Sequence, residues 1–308
     1  MTTWRDVPGA ATTPREAAAA VTIGTFDGVH RGHQALLRAT REAADGLPVV
    51  AVTFDPHPVA VIAPDKVPAR LTSVARRVEL LHEHGADEVR VLAFDREMAS
   101  WSPQEFVEHV LADQLSCGVV VVGENFRFGA KAAGDVGLLA EAGERLGFRS
   151  VPFTLVGDDD VWSSTRVRGL VAQARLSEAA VILGRPHEVD GVVTRGDQRG
   201  RDLGFPTANV PTDEGYAVPP DGVYAGRLVV DGERLPAAIS IGTNPTFAGT
   251  ERRVESYVMD HGHDLDLYGR EVRVELVERI RPMVAFDGVD ALVAQMHDDV
   301  SAARDLLA

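Results

Sequence analysis

Gly24-Thr25-Phe26-Asp27-Gly28-Val29-His30-Arg31-Gly32-His33 lies between the apolar run 20–24 and the helical pattern 34–44. A glycine-bearing turn between a β-rich run and an amphipathic run marks a strand-to-helix junction. The first backbone N–H groups of a helix have no intrahelical acceptor, so such a junction offers donors and a positive dipole end to an anion. His30 and His33, with only Arg31-Gly32 between them, can face one point from the first helical turn. Gly32 has no Cβ, so a phosphate chain can approach the backbone there.

Working outward, the runs 20–24, 49–54, 89–94 and 119–123 read as buried strands, and the segments 34–44, 73–84 and 103–115 between them have the length and period of crossover helices. Ser73 and Ser102 stand where N-caps of the second and third helices belong. Strand and helix in alternation predict a parallel α/β sheet, Rossmann-like, whose ligands bind at the carboxyl ends of the strands. Residues 166–183 read as one further amphipathic helix stopped by Gly184-Arg185-Pro186. Beyond it the pattern changes to short alternating runs, 188–194, 222–230, 237–241, 255–259 and 271–280, separated by Gly, Pro and Asp turns. That change predicts a small β-barrel or sandwich, and residues 289–307 return to helical spacing, as a helix across one barrel opening would. The expected division is residues 1–185 and 186–308.

Composition narrows the function. A chain of 308 residues exceeds a typical single domain, and 45% hydrophobic with 25% charged residues is ordinary for a soluble globular protein. The formal net charge of −15 works against broad attraction to nucleic acid or anionic membrane. The single cysteine, Cys117, excludes an intrachain disulfide and thiolate metal clusters and suits a cytoplasmic location. The N-terminal alanine-rich stretch is broken by Asp6, Arg15 and Glu16, so no signal peptide is read, and no apolar run reaches the roughly 20 residues of a membrane-spanning helix.

The histidine pair forms an HxGH pattern suited to nucleotidyl transfer. A Walker phosphate loop needs a lysine that neither Lys66 nor Lys131 supplies, and a zinc site lacks a third ligand. GTFDGVHRGH at 24–33, TFDPHP at 53–58, GENFRFG at 123–129 and SSTRVR at 163–168 follow in order. On these motifs the chain resembles the prokaryotic bifunctional riboflavin kinase/FAD synthetase family over nearly its whole length. The resemblance implies that the first module adenylylates FMN, with His30 and His33 stabilising charge on the ATP α-phosphate as pyrophosphate leaves. Gly24, Phe26 and Gly32 join the phosphate-binding turn, and Ser164, Thr165 and Arg168 would hold ATP phosphates. Asn125, Phe54 and Phe128 are the flavin contacts by the same analogy, while core packing is an even alternative for the two Phe. Asp55 and His57 can equally serve only to build the Pro-rich turn. No catalytic base is required, because the FMN phosphate oxygen is ionised at neutral pH and positioning can suffice.

The second half carries Gly191-Val192-Val193-Thr194-Arg195-Gly196 and then Gly200-Arg201-Asp202-Leu203-Gly204-Phe205-Pro206-Thr207-Ala208-Asn209. Clustered glycines give a loop whose N–H groups can wrap phosphates, placing Gly196 and Gly200 in the ATP site. Thr207 and Asn209 supply hard oxygens for Mg²⁺ and nucleotide. This run matches the riboflavin kinase signature. The riboflavin 5′-hydroxyl is a neutral, poor nucleophile, so a carboxylate should take its proton. The resemblance assigns that role to Glu255, with Asn244-Pro245-Thr246-Phe247 upstream and Asp264-Leu265-Asp266-Leu267-Tyr268-Gly269 downstream. Position alone would make Glu255 a solvated strand residue.

Two departures stand out. Val284-Ala285-Phe286 replaces the acidic and basic residues that relatives often carry before that phenylalanine, and His261-Gly262-His263 loosens the spacing before the downstream motif. The reading is thus a cytoplasmic enzyme with ATP, riboflavin and FMN as substrates, Mg²⁺ as cofactor, and neither nucleic acid nor membrane as partner. Homo-oligomerisation stays open. A single-activity enzyme, a flavin-sensing regulator and an RNA-charging fragment are the rival readings. The acidic charge and the missing lysine-rich loop disfavour the last.

Overall fold

The computed structural model describes residues 4–195, 203–212, 215–243, 252–260 and 265–308. Gly196, Gly200, Asn244 to Phe247, His261 to His263 and Asp264 lie outside these residues. The chain forms two compact units, one of Met1–Pro68 with Ser73–Ser163 and one of Ala69–Thr72 with Ser164–Ala308.

The first unit is built on a parallel five-stranded sheet in the order β3-β2-β1-β4-β5, with β1 Ala19–Ile23, β2 Val49–Asp55, β3 Glu88–Ala93, β4 Cys117–Gly123 and β5 Arg149–Phe153. The central strands are buried on both faces. Val21, Val50, Val52 and Val120 pack into one core layer, whereas Ala20, Val49, Ala51 and Val121 pack into another. This explains why they read as continuous apolar runs. β5 has no such run, since Arg149 is exposed and Pro152 interrupts it, which is why pattern alone passes over this edge strand.

The predicted crossovers form as α1 Arg31–Ala43, α3 Val74–Glu83 and α5 Pro103–Phe106, with short α2 Pro58–Ile62 and α4 Arg96–Ser100 between them. α5 continues as a π-helical stretch, Val107–Gln114. Ser73 Oγ accepts from Arg76 N at 3.1 Å, and Ser102 forms a reciprocal capping box with Glu105. α6 Val136–Leu146 ends on Gly147 in the left-handed conformation (φ 85°).

Residues 166–183 are two helices rather than one: α7 Ser164–Ala172 and α8 Leu176–Leu183, broken where Ala174 takes φ 56°. Buried Val167, Leu170 and Val171 form one stripe and Leu176, Ala179 and Leu183 another. The five-residue step from Val171 to Leu176 would rotate the second stripe about 140° away from the first in a straight helix. The break restores burial of both.

In the second unit, six antiparallel strands run in the order β6-β11-β8-β9-β10-β7. They are β6 His187–Val192, β7 Thr207–Thr212, β8 Gly222–Val230, β9 Glu233–Thr243, β10 Arg252–Val258 and β11 Glu271–Pro282. A bridge between Thr194 and Asn209, with Thr194 N donating to Asn209 O at 2.9 Å, brings the two sheet edges together and nearly closes the barrel. Thr207 and Asn209 stand on β7, a strand that the sequence reading did not mark. The last helix, α9 Val289–Leu307, covers one barrel face, where Ala303, Val300 and Leu307 pack on Ala225, Ala238 and Met259.

Candidate functional sites

The first site grows from the carboxyl end of β1. β1 is the strand from which neighbours extend in both directions, so its outgoing turn sits at the topological switch point of the sheet. Phe26, Gly28 and Val29 all take positive φ, at 49°, 82° and 40°. For Phe and β-branched Val this is strained backbone, held by full burial of both side chains. α1 begins at once, with His30 as an extended N-cap that makes no side-chain capping bond and no acid in the first turn. The helix N-terminus thus keeps its donors and positive end for an external anion.

His30 and His33 stack, with ring centroids 3.7 Å apart, and Phe26 meets His33 edge-on at 5.1 Å. His33 Nδ1 is buried without a hydrogen-bond partner among the described residues. Desolvation, then the neighbouring His30 and Arg77 charges, hold the His33 imidazole well below its ordinary pKa, so the ring is neutral at pH 7. A Cβ on Gly32 would lie 3.0 Å from the His30 ring, so a larger residue there would press on the ring that stacks with His33. Gly24 is similarly tight against the Phe26 ring, at 3.3 Å.

The remaining residues singled out in this half are less uniform. Phe54 and Phe128 are core members, 9% and 6% exposed. Phe54 packs edge-on against Phe94, and Phe128 stacks on Phe126. Asn125 is exposed in the turn after β4. His57 Nδ1 accepts from Val59 N at 3.2 Å and so caps α2. Ser164, Thr165 and Arg168 open α7 in the second unit, where Arg168 Nε donates to Ala69 O at 2.6 Å.

The second site is a cavity of about 300 Å³ beneath α9, lined mostly by apolar side chains, among them Tyr257, Phe286 and Met296. Its polar lining comes from Thr207, Ser240, Glu255, Arg281 and Asp299. Register explains how the sequence gathers them. Glu255 pairs with Asn209 on one side and Ser240 on the other, and Tyr257 pairs with Thr207. Residues directly opposite share a face and alternate residues repeat it, so Thr207, Asn209, Glu255 and Ser240 all project from one side of the sheet. Asn209 is 6% exposed, and its side-chain Oδ1 is buried without a partner among the described residues. A buried, unused carbonyl oxygen beside a threonine two residues away is a donor set that fits a hard cation.

Sequence reading missed the floor of each site. At the first, Arg77 on α3 is 4% exposed and points at the HxGH turn. At the second, Arg281 Nε and Nη2 donate to Asp299 Oδ1 and Oδ2, each at 2.7 Å, tying α9 to β11. Helical period places Arg77 on the apolar face of α3, which was the available signal; nothing local pairs Arg281 with a residue 18 positions on.

A family model described as FAD synthetase matches residues 12–166, and one described as riboflavin kinase matches residues 183–307. The chain is 41% identical over 289 residues to the bifunctional riboflavin kinase/FMN adenylyltransferase of Escherichia coli K12, covering 92% of this chain and 91% of that one. It is 38% identical over 299 residues to the protein of the same description from Pseudomonas fluorescens, covering 96% and 95%. A crystal structure described as a macrolide-efflux protein from Streptococcus pneumoniae superposes with a TM-score of 0.81 at 32% identity, covering 94% of this chain and 95% of that one. Among the described residues no helix is long and apolar enough to cross a membrane.

Proposed function

The chain belongs to the bifunctional riboflavin kinase/FMN adenylyltransferase family, and from that membership we propose how its two sites divide the chemistry. It phosphorylates riboflavin to FMN with ATP and adenylylates FMN to FAD with release of pyrophosphate. In our reading the kinase site is the cavity beneath α9 and the adenylyltransferase site is the turn between β1 and α1. The observation that carries the assignment is the register of β7, β10 and β9. It sets Glu255 level with Asn209 and Ser240 at an apolar cavity.

That cavity suits a planar tricyclic ring that offers mostly apolar surface. With the ring enclosed, Glu255 is the carboxylate that takes the proton from the 5′-hydroxyl as its oxygen attacks the γ-phosphorus of ATP and the β–γ bridging P–O bond breaks, releasing ADP. Thr207 and Asn209 would hold Mg²⁺, which when bound offsets the charge of the ATP phosphates. Phe205, 5% exposed, packs against Tyr257 and His297 and fixes the strand entry that carries Thr207.

At the first site the nucleophile is the ionised FMN phosphate, and no base is needed. The α1 N-terminus and the stacked histidines meet the α-phosphate, where charge builds as the pyrophosphate bond breaks. A neutral His33 can donate one ring N–H without repelling the cationic groups around it. Asn125 is the flavin contact in this module; Gly24, Phe26 and Gly32 shape the phosphate turn, and Ser164, Thr165 and Arg168 bind ATP phosphates. A cytoplasmic setting accords with this chemistry and with the lone, unreactive cysteine.

A time course with riboflavin and Mg-ATP, resolved by chromatography, tests the assignment. FMN should appear first and FAD second. Glu255→Gln should slow FMN formation by about 10²–10⁴-fold while leaving adenylylation of supplied FMN intact. Loss of FAD formation from FMN in that variant, with riboflavin phosphorylation retained, would reverse the sites.

A further inference from the structure

We propose that Arg77 is a positioning residue for adenylyl transfer, acting through the turn that carries His30 and His33. The proposal rests on the placement of adenylylation at that turn. Arg77 projects from α3 into the interior behind it. Its Nη1 donates to Thr53 Oγ1 and to Phe54 O, both at 3.2 Å, and its Nη2 lies 3.8 Å from Asp27 Oδ1. Thr53 Oγ1 in turn donates to Thr25 O at 2.9 Å. One planar guanidinium therefore links the end of β2 to both Thr25 and Asp27 of the turn between β1 and α1, a geometry that a lysine ammonium does not reproduce.

The environment makes this contact set unusual. The Arg77 and Asp27 side chains are 5% and 2% exposed, among apolar neighbours that include fully buried Phe26 and Val29. A buried ion pair is a poor source of stability, because desolvating both ions offsets most of their attraction. Its structural effect here is to hold a turn whose residues Phe26, Gly28 and Val29 all sit at positive φ. These residues lead directly into His30, the N-cap of α1, so their backbone sets where the His30–His33 stack starts. Arg77 and His30 are also the charged or titratable groups that hold the His33 pKa down, and Asp27 faces Arg77 from the turn itself.

The test uses the full chain with Arg77→Met, Arg77→Lys, Thr53→Val and Asp27→Asn, measuring adenylylation of FMN and phosphorylation of riboflavin on the same preparation. Arg77→Met should lower kcat for adenylylation by about 100-fold, the scale of a small misplacement of catalytic groups, with KM for ATP and FMN changed less than about 3-fold. Arg77→Lys should recover only part of that loss. Thr53→Val, which removes one hydroxyl and no charge, should give a smaller fall in kcat, measured below the variant's own unfolding transition because the change also takes a partner from a buried hydrogen-bonding group. In Arg77→Met the apparent pKa in the adenylylation pH profile should move upward, because a positive charge near His33 has gone. Losses in Asp27→Asn and Arg77→Met should be less than additive.

An unchanged kcat in Arg77→Met, or a KM rise with kcat retained, overturns the proposal. So does full rescue by lysine, or a loss in step with unfolding in which Thr53→Val keeps full activity. Failure of the underlying assignment looks different: substituting His30 and His33 would then leave FAD formation from FMN untouched.

Discussion

At the scale of single residues, what matters is the protonation state each surrounding imposes. His33 is held below its ordinary pKa by burial and by the His30 and Arg77 charges. Its folded pKa is therefore below the unfolded value of about 6.5. The unfolded chain takes up the proton first as pH falls, so stability from this group is complete above about pH 6.5 and declines below it. His33→Gln should flatten the fall in unfolding free energy between pH 7 and 5 by up to about 1.4 kcal/mol per unit, measured by denaturant titration at several pH values. An identical slope in both proteins would contradict a depressed His33. Cys117 is the opposite case: burial pushes its thiol up to about 12, so it does not act as a nucleophile at neutral pH. Glu255 shows what residue type cannot say. A glutamate in an alternating strand reads as solvated surface; the family resemblance singles Glu255 out, and the structure sets it opposite Asn209 and Ser240 beside an apolar cavity.

At the scale of elements, caps and periodicity were legible and breaks were not. Ser73 and Ser102 are N-caps as their positions suggest, because that chemistry is local. The division of residues 166–183 into α7 and α8 turns on one five-residue step in an otherwise helical pattern, which matters only once there are surfaces for both stripes to meet. β7 was obscured by the glycines before it, which spoke for a loop. α9 was expected to lie across a barrel opening, and it does cover a barrel face, held by the Arg281–Asp299 pair with Gln295 Nε2 donating to Asp299 Oδ1 at 3.1 Å. Asp299→Ala would leave Arg281 in a largely buried position without its partner, at a cost of about 3 kcal/mol. We expect a raised KM for riboflavin and a lowered unfolding midpoint, with adenylylation of FMN unchanged; equal losses in both reactions would show that α9 does not serve the kinase cavity in particular.

For the whole molecule, each unit has its own core, and the His30–His33 pair belongs to one unit and Glu255 to the other, so damage at either of these positions should not carry over to the other reaction. An equimolar mixture of a Glu255→Gln chain and a His30→Asn/His33→Asn chain should make FAD from riboflavin after a lag in which FMN accumulates, followed by chromatography. No FAD from the mixture, with each variant retaining its remaining reaction, would mean that FMN does not exchange between chains. The sequence by itself determined the alternation that makes a parallel sheet, the shift to short strands that makes a barrel, and both ordered motif sets. These are signals of local geometry or of contiguous residues, which need no partner elsewhere in the chain. Tertiary structure alone decided that Glu255 stands level with Asn209 and Ser240, that Arg281 meets Asp299, and that Arg77 lies beneath the Gly24–His33 turn. Those relations are set by strand register and by the packing of elements distant in sequence, which is how a buried arginine 44 residues beyond His33 comes to lie against Asp27 of the turn quoted at the outset.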